Sequence, residues 1–133
     1  MNRVLIVDDN DRYAINLKKY FDGLGIHSDR AIDAKQGLDF FRNNPPYDMI
    51  VSDITMETQT SGLWMMRKIS KSGYNGVLTI ASTGFDVPGV MKISSLLLVW
   101  FCKLDWMIPK VPLKSGLVQW YPTFRTTKLK SPI

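Results

Sequence analysis

The sequence has one cysteine, one histidine, few acidic residues in its second half and no long apolar run. A single thiol, Cys102, excludes an internal disulfide and agrees with a reducing compartment, where its role is packing. The longest apolar run, Leu96 through Cys102, falls far short of the roughly 20 residues that span a bilayer. Asp8, Asp9 and Asp11 interrupt any apolar core that a secretory signal would need. A cytoplasmic chain with no membrane partner is therefore expected. Of the twelve acidic residues only Asp86 and Asp105 lie beyond Glu57, so the net charge of +5 gathers late, ending in Arg125, Lys128 and Lys130. Such a run reads as a solvated tail over residues 125–133, and nucleic-acid binding is not expected of it. Repeats and linkers are also lacking, which leaves one domain over residues 1–124 ahead of that tail.

Apolar runs of strand length recur along the chain, at Arg3 to Val7, Ile26 to Ala31, Asp48 to Ser52, Val77 to Ala81 and Trp106 to Ile108. Helical patterns alternate with them. Asn10 can cap a helix carrying Tyr13, Leu17, Tyr20, Phe21 and Leu24, and Asp33 to Phe41 and Ser61 to Ser72 have apolar residues at helical spacing. Pro88 suits the first turn of a helix running toward Phe101, and Leu113 to Phe124 offers a last helix weakened by Gly116 and Pro122. Alternation of this kind predicts an α/β fold, a five-stranded parallel sheet doubly wound with helices on both faces.

In such a sheet, ligands bind beyond the carboxyl ends of the strands. Asp8 and Asp9 follow the first strand, Asp53 ends the third, Ser82-Thr83 follow the fourth and Lys110 follows the last. Each alone is an ordinary turn, cap or surface residue; together they deliver three carboxylates, hydroxyls and an ammonium to one edge. Three negative charges in a small volume call for a cation. Oxygen ligands suit magnesium, whereas zinc would call for histidine or thiolate, and the one histidine, His27, lies at the opposite end of a strand. An aspartate oxygen left free by the metal can act as a nucleophile on a phosphoryl group, with Lys110 and Thr83 meeting its other oxygens.

Val4-Leu5-Ile6-Val7-Asp8-Asp9-Asn10, Asp48-Met49-Ile50-Val51-Ser52-Asp53, Ser82-Thr83-Gly84-Phe85 and Lys110 together resemble the receiver domain of two-component response regulators. The resemblance spans residues 3 to about 113. It implies a stand-alone flavodoxin-like (βα)5 domain with strand order 2-1-3-4-5. It also implies that Asp53 accepts a phosphoryl group from a histidine kinase or phosphotransfer protein. Asp8, Asp9, Asp53 and the Thr55 backbone carbonyl would bind magnesium, Thr83 and Lys110 would read the phosphate, and output would pass to a downstream protein target. The chain would be a switch, not a classical enzyme, beyond releasing its own phosphate.

Several positions depart from the family pattern. Glu57 stands where a proline is usual, Gly62 comes one place late, and Val111 separates Lys110 from Pro112. Met107, beside Trp106, takes the place of the family's switch aromatic, and the stretch from Thr83 to Lys110 is long and holds the apolar run Leu96 to Phe101. That run predicts a longer buried helix or an exposed surface for a partner or a homodimer. Two other functions fit less of the pattern. One is a receiver-like scaffold that binds constitutively through Leu96 to Phe101. The other is an aspartyl phosphatase resembling the haloacid dehalogenase superfamily, in which Thr55 would occupy the place of the second aspartate.

Overall fold

β1 (Arg3–Val7) is buried on both faces because its alternate side chains enter two different cores. Leu5 and Val7 join Ile50, Leu78, Ile80 and Met107 on one side, while Val4 and Ile6 join Met49, Val51, Ala81 and Ile108 on the other. Each fully buried aliphatic side chain contributes about 2 kcal/mol to this layering. The structure, a computed structural model, describes residues 1–53, 61–82, 90–126 and 131–133.

β2 (His27–Ala31) and β3 (Met49–Asp53) flank β1, followed by β4 (Val77–Ser82) and β5 (Trp106–Pro109), all parallel, in the order β2-β1-β3-β4-β5. The five parallel strands and their order are those expected of a flavodoxin-like fold. α2 (Ala34–Asn43), α3 (Ser61–Lys71) and α4 (Val90–Cys102) cover one face, α1 (Asp11–Gly23) the other. Local chemistry starts α1 and α2 where the sequence suggested, and Pro88, expected in the first turn of the fourth helix, lies outside the described residues. Asn10 Oδ1 accepts from the Arg12 and Tyr13 N–H groups at 3.0 and 3.2 Å, and Asp33 Oδ1 accepts from the Gln36 N–H at 2.7 Å. Cys102 is buried, and burial pushes its thiol up to about 12, which keeps it protonated and inert. None of the described helices is long and apolar enough to cross a membrane.

The C-terminal segment differs from expectation. A helix over Leu113 to Phe124 is absent; instead α5 (Lys110–Lys114) starts earlier, and the chain leaves it through Gly116 at φ +89°, a conformation that costs glycine nothing. The following residues turn back as β6 (Tyr121–Pro122), antiparallel to β5, with Met107 opposite Tyr121. The Thr123 hydroxyl donates to the Leu104 carbonyl at 2.8 Å, and the Arg125 guanidinium meets Asp105 at 3.1 Å. Trp120 lies 6.1 Å from both the Tyr20 and Trp106 rings, and its indole N–H donates to the Tyr20 hydroxyl at 3.0 Å. An unpaired β5 edge and an uncovered patch beside α1 together outweigh whatever helical tendency this segment has.

Along α4, Leu98 and Cys102 face the core, while Leu96, Leu97 and Trp100 are exposed, Trp100 to 81%. Both readings of the apolar run therefore hold in part: one side of the helix is core and the other is open. Trp64 of α3 extends the open side by stacking edge-on to Phe101 at 5.2 Å.

Truncating Trp120 to Ala is expected to cost about 2–3 kcal/mol in a urea unfolding experiment, because it removes the plug between α1 and β5. Phe124→Ala, at a side chain 69% exposed, should change the same midpoint by less than about 0.5 kcal/mol.

Candidate functional site

The parallel register brings the ends of β1 and β3 side by side, with Val7 opposite Ser52, so that Asp8 and Asp53 emerge at one edge. Asp8 and Asp53 are buried and Asp9 is exposed. One carboxylate oxygen from each of the three lies within 4.8 Å of the others. Lys110, the first residue of α5 and only 5% exposed, reaches into this cluster. Its Nζ lies 2.9 Å from Asp53 Oδ2 and 3.2 Å from Asp8 Oδ2. Val111 places Pro112 within the first turn of α5, a position proline tolerates, and no cis peptide bond occurs among the described residues.

Each carboxylate has a different set of partners. Asp8 Oδ1 accepts from the Asn10 N–H at 2.9 Å. Its Oδ2 is buried and faces the Lys110 ammonium at 3.2 Å. Burial raises the Asp8 pKa, opposed by the Asn10 N–H and the Lys110 charge and assisted by the charge of Asp53. For Lys110 burial favours the neutral amine, but the Asp53 hydrogen bond and the Asp8 and Asp53 charges outweigh it, so its pKa is raised and it stays an ammonium. The loop itself is clamped from β2: Arg30 Nε donates to the Asp8 carbonyl at 2.9 Å, and its guanidinium pairs with Asp11 at 2.8 Å. Arg30 was not singled out from the sequence, where it is one basic residue in a polar strand. Tyr13, read from the sequence only as part of the first helix's apolar pattern, also joins the site, its ring centre 4.4 Å from Lys110 Nζ.

Of the residues picked from the sequence, Asp8, Asp9, Asp53 and Lys110 come together at this edge. Thr83 and Thr55 lie outside the described residues, as do Glu57, Gly84 and Phe85. Met107 and Trp106 are both buried, Met107 in the core beneath α3 and α4 and Trp106 against Trp120. An all-oxygen donor set that includes a buried carboxylate oxygen suits a hard divalent cation such as magnesium.

Residues 4–93 match the response regulator receiver domain. The chain belongs to that family. Solved structures with this fold include the receiver domain of the Francisella response regulator 1452, which is 28% identical, with 84% of this chain and 85% of that one covered at a TM-score of 0.67. The chemotaxis response regulator CheY4 of Vibrio cholerae is 18% identical over 87% of this receiver and 92% of its own chain, at 0.70. A putative response regulator from Chloroflexus aurantiacus is 20% identical, covering 83% and 85%, at 0.68. Receiver domains generally bind magnesium at an acidic pocket, and this chain has an acidic cluster in Asp8, Asp9 and Asp53. The family match ends inside α4, so Lys110, α5 and β6 all lie beyond it. The departures around Val111, Gly116 and Trp120 fall in that same stretch.

Asp8→Asn is expected to raise the thermal midpoint of the metal-free protein at pH 7 by a few degrees, about 1 kcal/mol, since it removes a buried charge. The sign follows from the raised pKa: the folded state holds this proton more tightly, so wild-type stability falls as pH rises above about 4. Asp8→Asn should flatten that decline. Lys110→Met should lower the midpoint at pH 7, as it leaves two buried carboxylates facing each other. Calorimetry across pH 4 to 8 checks all three.

Proposed function

We propose that this receiver is a phosphorylation-controlled binding switch in a two-component phosphorelay, with Asp53 as the phosphoacceptor. The observation that carries this reading is the buried Lys110 ammonium, which bridges Asp53 and Asp8 at the carboxyl ends of β1 and β3. An Asp53 oxygen attacks the phosphorus of a phosphohistidine on a histidine kinase or phosphotransfer protein. The nitrogen–phosphorus bond breaks, leaving an aspartyl phosphate and a free imidazole. Magnesium, when held by Asp8, Asp9, Asp53 and the Thr55 carbonyl, supplies positive charge for the phosphoryl oxygens. Lys110 pairs with one of those oxygens and the Thr83 hydroxyl donates to another.

Movement of Thr83 toward the phosphate changes the loop after β4 and, through it, the surface of α4. Output then passes by protein contact to a downstream target, with the exposed Leu96, Leu97 and Trp100 as the surface and a homodimer as one form of it. The described residues hold no membrane-crossing helix, and the cytoplasm, where such kinases hold their phosphohistidine, is the compartment this reading requires.

Incubation with radiolabelled acetyl phosphate and magnesium should label the wild type and leave Asp53→Asn unlabelled; equal labelling of the two would end the assignment. For the surface, sedimentation with beryllofluoride and magnesium should show an association that Trp100→Lys weakens at least about tenfold. Identical sedimentation with and without those ions would favour a constitutive scaffold.

A further inference from the structure

We infer that Tyr13 is a positioning residue for Lys110, its ring holding the ammonium where it can meet an oxygen on Asp53. The inference rests on the phosphoacceptor reading of Asp53. An ammonium on a four-carbon stem is a compact charge with many rotamers, so its position depends on what surrounds it. Lys110 Nζ meets Asp53 Oδ2 at 2.9 Å, Asp8 Oδ2 at 3.2 Å and the face of the Tyr13 ring, with its centre at 4.4 Å. The last distance is well inside the range over which a ring quadrupole attracts a cation, and burial of Lys110 strengthens that attraction.

The backbone that delivers the lysine leans on the same helix. α5 has five residues, and its N-cap, Pro109, makes no side-chain capping bond. From α1, Asn16 Nδ2 donates to the Leu113 carbonyl at 2.8 Å and Arg12 Nε donates to the Lys114 carbonyl at 3.0 Å. Arg12 and Asn16 are one turn apart and Tyr13 lies on the same side of the helix. One face of α1 thus ties down the end of α5 and closes over the ammonium at its beginning. Among the described residues the Tyr13 hydroxyl makes no hydrogen bond, which leaves the ring as the working part. The ring offers no carboxylate oxygen, so, unlike Asp8 and Asp53, it would not be drawn from Lys110 by a cation held at the acidic cluster.

Two measurements on the full chain test this. In the metal-free protein, the Lys110 ε-methylene protons should resonate upfield of those of the other lysines, through the ring current of Tyr13. Tyr13→Phe should preserve the shift and Tyr13→Leu should abolish it. Calorimetric titration with beryllofluoride and magnesium should give an affinity within about twofold of wild type for Tyr13→Phe and about fivefold weaker for Tyr13→Leu. Phenylalanine carrying one, two or three ring fluorines at position 13 should weaken binding in steps, each lowering the thermal midpoint by less than Tyr13→Leu does, because fluorine drains the ring's charge and changes its packing little. A flat fluorine series, an unshifted lysine, or Tyr13→Phe binding as weakly as Tyr13→Leu would overturn the positioning role and leave the phosphoacceptor reading standing. Failure of the wild type itself to bind beryllofluoride would overturn both.

Discussion

The ammonium of Lys110 between the carboxylates of Asp8 and Asp53 is the contact on which the rest of this edge of the molecule depends. Parallel strands with apolar interiors end together, and here two of them end in acids. Burial disfavours the charged form of Asp8 and raises its pKa, while the Lys110 charge opposes that rise. Lys110 makes the arrangement tolerable, yet it brings one positive charge to a cluster of three carboxylates. That residual demand for positive charge is what suits the pocket to a divalent cation and, by way of Asp53, to a phosphoryl group.

Holding the lysine there places demands on parts of the chain far from the acids. α5 has five residues and packs into the core through Leu113, and Asn16 and Arg12 of α1 bind its last carbonyls. With only one turn in α5, part of the sheet face beside α1 would be open to water. Trp120 fills that space and β6 closes the edge of β5, so an extended segment does the covering that a longer helix would otherwise do. The consequence for function is an asymmetry. The α1 side and the β5 edge are sealed by the chain's own C-terminal segment, while α4 keeps Leu97 and Trp100 exposed beside Trp64 of α3.

Much of the fold was legible because its signals are local. An apolar run such as Val4-Leu5-Ile6-Val7 can only be a strand buried on both faces when turn and helix signals bracket it, and Asn10 and Asp33 cap the helices that follow. The last helix was misplaced for the same reason. Leu113 to Phe124 has enough apolar residues for a helix, yet the left-handed turn at Gly116 and the empty edge of β5 decide its course, and the second of these does not appear in its own sequence. Arg30 went unnoticed and Tyr13 was read only as a residue of the first helix's apolar pattern, because their importance comes from residues 22 and 97 positions away, at Asp8 and Lys110.

By itself, the sequence determined which residues end each strand, and hence that Asp8, Asp9, Asp53 and Lys110 share one edge of a parallel sheet. Chain order and hydrophobic period suffice for that, because strand direction and side-chain alternation are set by neighbours a few residues apart. Only the tertiary structure decided how close the ammonium comes to each carboxylate and that an aromatic ring from α1 covers the lysine. Those are distances between residues 57 to 102 positions apart, and they depend on how helices and strands pack into a filled interior, which no local pattern encodes.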